Sequence, residues 1–251
     1  MKVFITGGTG LLGSNLITEL KKRGIDYFAP TSNECNIIDS KSVSKSIHDY
    51  NPDVVIHCAA IAKYKIVETM PMKTILTNVV GTCNVITACE SVNTKVKLVY
   101  ISSDHVFDGK KGNYKTTDRI NPLSKYAKTK ASGELAVRIY DNHLIIRTSF
   151  CDKEFPFDTA YIDKWTSQDY IDLIAPKILD KALGNKVGII NIGSKRRSFY
   201  ELAKDRKPDV NKGSVSEIIK TSDVSILIDT SLEIGDWYVY YKYRYFIGFI
   251  R

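Results

Sequence analysis

Three side chains near the middle of this 251-residue chain have types and spacing suited to moving a proton: Ser103, Tyr126 and Lys130. Ser103 lies in Ile101-Ser102-Ser103-Asp104-His105-Val106-Phe107-Asp108-Gly109, and Tyr126-Ala127-Lys128-Thr129-Lys130 begins 17 residues after Gly109. A phenol and an ammonium group four residues apart share one face of a helix. A nearby cation favours phenolate, so this spacing predicts a Tyr126 pKa drawn down toward working pH and a group able to act as general acid or base on a substrate oxygen. Ser103 is placed to hydrogen-bond the same oxygen.

The Tyr-Lys spacing is not selective by itself, because Tyr200/Lys204 and Tyr238/Lys242 repeat it. Position singles out Tyr126. Strand-like runs at Lys2–Thr6, Asp26–Ala29, Val54–Cys58, Lys97–Ser102, His143–Arg147 and Val187–Ile190 alternate with helical patterns at Leu11–Arg23, Ser40–Asp49, Met72–Ser91, Leu123–Tyr140 and Ile171–Leu183. That rhythm predicts an α/β fold, a doubly wound parallel sheet of Rossmann type with a small C-terminal substrate lobe. Tyr126 then opens the helix between the fourth and fifth strands, and Ser103 ends the fourth, where an open α/β sheet binds its ligands. The expected division is a dinucleotide-binding domain over residues 1–150 and a small substrate-binding lobe over 151–251, partly interleaved with the sheet.

The elements at the start of the chain supply a reaction partner. Thr6-Gly7-Gly8-Thr9-Gly10-Leu11-Leu12-Gly13 stands between the first strand and first helix. Gly7 permits a tight turn, Gly10 lets backbone approach a pyrophosphate, and Gly13 lets the helix pack on the strand; the helix amino terminus supplies positive potential. The second strand is followed by Tyr27-Phe28-Ala29-Pro30-Thr31-Ser32-Asn33, with no acid before Glu34. Hydroxyls and an amide there tolerate a 2′-phosphate, which favours NADP(H), with NAD(H) as the alternative. Asp39, after Ile37 and Ile38, is placed either to receive the adenine amino group or to cap the helix from Ser40. The run His57-Cys58-Ala59-Ala60-Ile61-Ala62 lets a ribose lie close to backbone, or marks tight helix packing. Asn78, in a long apolar helix, either bonds local backbone or supports Lys130 through water. The candidate cofactor contacts are therefore Gly7, Gly10, Leu11, Leu12, Gly13, Thr31, Ile38, Asp39, Ala59, Ala60, Ala62 and Asn78, together with Tyr126 and Lys130.

Composition limits the alternatives. The chain is 43% hydrophobic and 25% charged, enough for one substantial core and unlike a disordered segment. Glycines come too early for a secretory leader, and no stretch of about 18 uncharged apolar residues is present, so a soluble cytoplasmic protein is expected. Cys35, Cys58, Cys83, Cys89 and Cys151 show no metal-ligand spacing and read as small buried hydrophobes; no metal is expected. A formal charge of +8 suits a polyanion, but equally a dinucleotide and a nucleotide-linked substrate. Lys110-Lys111 and Lys195-Arg196-Arg197 read as solvated faces. The aromatic tail from Trp237 to Ile247 is too short and charged to span a bilayer. Strand formation, or burial against the body or a second subunit, is the main reading and leaves room for a homodimer; a nucleic-acid stacking surface is the weaker one. No nucleic-acid or membrane partner is expected.

TGGTGLLG, HCAA, SSD, YAKTK with Ala131-Ser132-Gly133-Glu134, and Ile146-Arg147-Thr148-Ser149 together resemble an extended short-chain dehydrogenase/reductase. Ser-Ser-Asp-His-Val-Phe-Asp-Gly resembles most closely the dTDP-4-dehydrorhamnose reductase subgroup. The likeness covers residues 1–150 well and is patchy beyond. It implies Ser103, Tyr126 and Lys130 as a catalytic triad, Gly7, Gly10, Leu12, Gly13, Ala59 and Ala60 as cofactor contacts, and Ser103, Asp104, His105 and Phe150 on the substrate side. The implied reaction is NAD(P)H reduction of the 4-keto group of a nucleotide-linked 6-deoxy sugar, as in dTDP-rhamnose biosynthesis. His105 stands where the subgroup usually has tyrosine, Phe150 where it often has tryptophan, and Ser103 where it usually has threonine. A related dehydratase would carry Asp then Glu after the hydroxyl, an acid and a base. The chain's Asp104-His105 disfavours that reaction. A sugar-nucleotide 4-epimerase and a non-catalytic NADP-binding regulatory subunit, like the methionine adenosyltransferase beta subunit, remain as alternatives.

Overall fold

The computed structural model describes residues 1–92, 96–221 and 226–235. The aromatic tail from Trp237 lies outside the described residues. Six strands form one fully parallel sheet: β1 (Lys2–Thr6), β2 (Asp26–Phe28), β3 (Val54–His57), β4 (Lys97–Ile101), β5 (His143–Thr148) and β6 (Gly188–Ile192). Their order across the sheet is β6-β5-β4-β3-β1-β2. Register is set by pairs such as Ile5 with Ile56, Ile56 with Val99, and Val99 with Leu144.

Both faces of this sheet are covered, which explains why its strands are apolar at nearly every position. Successive side chains point to opposite faces. Val3 and Ile5 join Leu12, Leu16 and Leu20 of α1 (Leu11–Lys22) and Ile171, Ile174 and Ile178 of α6 (Ile171–Leu183) in one core layer. Phe4, Val55 and Leu98 face the other way, against Val43 and Ile47 of α2 (Ser40–Tyr50) and Val85 and Cys89. Doubly wound architecture follows from that division. Residues 171–192 thus return to the main sheet, and the other described residues beyond 150 include short strand pairs and helices, such as Asn211–Gly213 with Thr159–Tyr161 and helix Phe199–Lys204 with its Ser198/Glu201 capping box.

The expected single helix over Met72–Ser91 is more complex. After α3 (Tyr64–Thr69) comes α4 (Pro71–Val92), which contains one π-helical turn at Leu76–Val80. By length and composition α4 would suffice to cross a membrane, with a mean hydropathy of 1.3. It carries buried Thr74, Asn78 and Thr82, however, and its second half packs into the core beside α2 and β3, as a helix of a sheet layer does. The cysteine expectation holds for Cys35 and Cys89, which are buried, whereas Cys58 and Cys151 are half-buried and Cys83 is exposed on α4. No group of three or more metal-ligating side chains occurs among the described residues.

Candidate active site

All six strands end at the same edge, so the loops after β1, β3, β4 and β5 gather there. α5 (Lys125–Val137) starts where Ser124 caps it, its Oγ accepting the Ala127 N–H at 3.1 Å. That start places Tyr126 in the first turn and Lys130 one turn deeper. The result is a cleft of about 910 Å³. Its walls include Gly7, Gly10, Leu11, Leu12 and Gly13 from the first loop and Ala60 and Ala62 from the third. Ser103, Asp104, His105, Tyr126, Lys130 and Phe150 complete the set brought together from the sequence candidates.

Five candidates lie outside those walls. Thr31 gives both its N–H and its hydroxyl to the Glu34 carboxylate, at 2.8 and 2.9 Å. Ile38 is on the surface, and Asp39 caps α2 by accepting the Lys41 N–H at 3.0 Å. Ala59 packs its backbone against the glycine turn, where a Cβ on Gly7 would come within 2.7 Å of it. The side chain of Asn78 bonds backbone distant in sequence rather than local backbone. The π-turn delivers it inward, where its amide accepts from Ile61 N–H (2.7 Å) and donates to Ile61 O and Thr129 Oγ1, both at 3.0 Å. Those three bonds use both amide hydrogens and tie the loop after β3 to α5.

The glycine turn fits a dinucleotide. Gly7 adopts φ +72°, and Gly13 sits so close that a Cβ there would lie 2.3 Å from Gly7 O. Gly10 precedes α1 with no side-chain cap, and no acid occupies the first turn, so no side chain competes for the helix amino terminus. Thr148 Oγ1, also in the cleft wall, is buried without a partner among the described residues. When bound, a nicotinamide dinucleotide supplies hydride.

The electrostatics differ from the helix-spacing expectation in sign. Burial and the Asp104 carboxylate push the Tyr126 phenol up to about 12, opposed only by the Ser103 hydroxyl. Lys130 is itself drawn down to about 7 by burial, against the pull of Glu134, and its Nζ stands 4.1 Å over the Tyr100 ring. Spacing on a helix says which groups are neighbours, while desolvation decides which protonation state survives. The Tyr126 phenol is therefore held protonated at neutral pH.

Several site residues carried no sequence signal. Lys164 and Gln168 enter the cleft from the segment after β5, and burial lowers the Lys164 pKa while Asp104 opposes it. Below the floor, His57 bridges Thr6 Oγ1 (2.6 Å) and Thr82 Oγ1 (2.9 Å). In the cluster Lys195-Arg196-Arg197, Lys195 and Arg196 are exposed, as a solvated face would be, but Arg196 also pairs with Asp229 and the half-buried Arg197 with Asp169 and Asp205, fastening the lobe.

The chain is 39% identical over 143 residues to methionine adenosyltransferase 2 subunit beta of Xenopus tropicalis, covering 54% of this chain and 42% of that protein. It is 37% identical over 151 residues to the spore coat polysaccharide biosynthesis protein SpsK of Bacillus subtilis, 59% of this chain and 53% of that one. The matched segment thus spans about half or less of these relatives. In structure, it superimposes with a TM-score of 0.81 on dTDP-4-dehydrorhamnose reductase from Bacillus anthracis in complex with NADP, at 24% identity over 93% of this chain and 90% of that one. Residues 1–172 match the family described as the RmlD substrate binding domain, and the chain belongs to that family, within the extended short-chain dehydrogenase/reductases.

Proposed function

We propose that this chain is a cytoplasmic enzyme that reduces the 4-keto group of a nucleotide-linked 6-deoxy sugar, a dTDP-4-dehydrorhamnose reductase-like reaction that draws hydride from NAD(P)H. The observation that carries this reading is the convergence of Ser103, Tyr126 and Lys130 in one cleft with the uncapped amino terminus of α1. The protonated Tyr126 gives its proton to the carbonyl oxygen as that oxygen gains negative charge, and Ser103 orients it. Lys130, one helical turn behind, favours the phenolate left after transfer. Phe150, Lys164 and Gln168 line the sugar-nucleotide half, and a single apolar wall with a few convergent polar groups is what such a pocket requires.

The test is dinucleotide oxidation with a panel of 4-keto and 4-hydroxy sugar nucleotides, alongside direct dinucleotide binding. Tyr126→Phe should lower turnover by about 100-fold or more, with binding retained. A second reading, a non-catalytic dinucleotide-binding regulatory subunit, is favoured by the 39% identity to methionine adenosyltransferase 2 subunit beta. Tight dinucleotide binding without turnover of any sugar in the panel would decide for that reading.

A further inference from the structure

Beside the reducing set stands an acid-base pair that reduction does not use. Ser103 caps a single 3-10 turn, Asp104–Val106, and its Oγ accepts the His105 N–H at 3.2 Å. Val106 and Phe107 anchor that turn in the interior, with the Phe107 ring stacked on Tyr114 at 4.2 Å. The backbone therefore fixes where Asp104 and His105 stand. The Asp104 side chain is 3% exposed and that of His105 45%, and His105 Nε2 lies 3.9 Å from Asp104 Oδ1. The imidazole meets the Tyr126 ring edge-on, with centroids 6.5 Å apart and planes at 80°. A buried carboxylate thus backs an imidazole that opens on the same cleft as the Tyr126 phenol. Histidine is the side chain most often used as a general base, and this one stands beside the group that would protonate the neighbouring oxygen.

We propose that the site also enolises its keto sugar, His105 taking a proton from a carbon adjacent to the C4 carbonyl; this rests on the keto-sugar reading above. The C–H bond at C3 or C5 breaks and its electron pair forms the ring C=C bond. The carbonyl π pair moves to the C4 oxygen, which receives the Tyr126 proton. The abstracted proton resides on His105 as imidazolium, beside the Asp104 carboxylate, and exchanges with solvent because the ring is open to the cleft. On return the enol O–H gives its proton back to the Tyr126 phenolate as the C4 carbonyl re-forms and carbon takes a proton: delivery to the same face regenerates the sugar with a solvent hydrogen at that carbon, and delivery from water to the opposite face inverts it. Nothing is oxidised or reduced, so no dinucleotide is consumed.

The probe is dTDP-4-keto-6-deoxyglucose in D₂O with the full chain and no dinucleotide, followed by proton NMR against a protein-free control. A parallel sample with NADPH or NADH reads reduction. Deuterium should enter C3 or C5 about 100-fold faster than in the control, and His105→Asn and His105→Gln should fall to the control rate while their melting and dinucleotide binding stay normal. Asp104→Asn should slow exchange. Reduction by the wild-type chain with exchange at the control rate would overturn the enolisation proposal and leave the reductase reading standing. Neither reaction, with dinucleotide bound, would defeat the keto-sugar reading and this proposal with it. Undiminished exchange in both folded His105 variants would overturn the role of His105.

Discussion

The Glu134 carboxylate accepts hydrogen bonds from both Nε and Nη2 of Arg147, at 3.0 and 2.8 Å, with 1% and 3% of the two side chains exposed. Ser102 Oγ donates to the same carboxylate at 2.5 Å, and Arg147 Nη1 reaches Thr116 O at 3.1 Å. One buried pair thereby fastens α5 to the ends of β4 and β5, a single turn beyond Lys130. The sheet edge that carries Ser103 and the helix that carries Tyr126 are held in register by it.

Removing one partner leaves the other charge buried and unpaired. Arg147→Met should therefore cost about 3–5 kcal/mol, lowering the melting temperature by about 6–20 °C for a chain of this size. The double variant Glu134→Leu/Arg147→Met, which leaves no unpaired charge, should recover most of that loss. Denaturant unfolding of the two variants checks both statements, and a double variant no more stable than the single one would show that the pair is not the fastening argued here.

Two glycines in the first turn separate fold from binding. At Gly13 an added Cβ would lie 2.3 Å from Gly7 O and 2.8 Å from Gly8 Cα, so Gly13→Ala should destabilise the protein by about 1–3 kcal/mol and abolish dinucleotide binding together. At Gly10 the only close neighbour is Gly7 O at 3.3 Å, so Gly10→Ala should fold normally but weaken dinucleotide binding at least about tenfold, because its methyl group stands where backbone must approach the pyrophosphate. Fluorescence titration with NADH and with NADPH reads this. Normal binding by Gly10→Ala would place the pyrophosphate elsewhere.

The sheet was legible because its central strands are apolar on both faces, as Val54–His57 and His143–Thr148 illustrate. The cleft residues at strand ends, Ser103 and Gly7 among them, followed from that. What escaped reading depends on contacts distant in sequence. The π-turn at Leu76–Val80 continues a helical pattern without interruption, and its purpose appears only when Asn78 meets Ile61 and Thr129. The direction of the Tyr126 shift was misjudged because the i,i+4 cation is local, whereas burial and Asp104 are not. Lys164 and the Arg196 and Arg197 pairs lie in segments with no periodic signature, and tertiary packing alone assigns them.

His57 makes stability sensitive to acid. Burial and the nearby Lys130 charge lower its pKa from 6.5 to about 3, and its two ring nitrogens are already engaged by Thr6 and Thr82. The neutral ring is the ordinary state of both folded and unfolded chains above pH 6.5, so no pH dependence arises from it there. As pH falls from 6.5 toward 3, the unfolded chain binds a proton that the folded chain refuses, and stability drops by about 1.4 kcal/mol per pH unit from this residue. His57→Gln should be less stable than wild type at neutral pH yet show a flatter profile between pH 6 and 4. Parallel slopes for the two proteins, measured by denaturant unfolding across that range, would place the acid sensitivity in other groups.

Arg196 couples the lobe to the part of the cleft proposed to hold the sugar nucleotide. Its guanidinium stacks 3.9 Å over the Trp165 ring, and its Nε and Nη2 both reach Asp229 Oδ2 at 2.8 Å. Asp229 Oδ1 in turn accepts from Ser231 N–H and Oγ, at 3.0 and 2.6 Å, and Trp165 N–H donates to Ile228 O at 2.7 Å. Lys164 and Leu227, the neighbours of Trp165 and Ile228 in sequence, line the cleft. Losing Arg196 leaves the nearly buried Asp229 without its cation and lets both cleft segments move, whereas the glycine turn rests on other elements. Arg196→Ala should therefore raise KM for the sugar nucleotide about tenfold, equivalent to about 1.4 kcal/mol, while dinucleotide affinity stays unchanged. Arg196→Lys keeps the charge but loses the planar fork and the stack, so it should restore only part of that loss. Equal weakening of sugar-nucleotide and dinucleotide binding would mean that the two halves of the cleft are not held by separate parts of the fold.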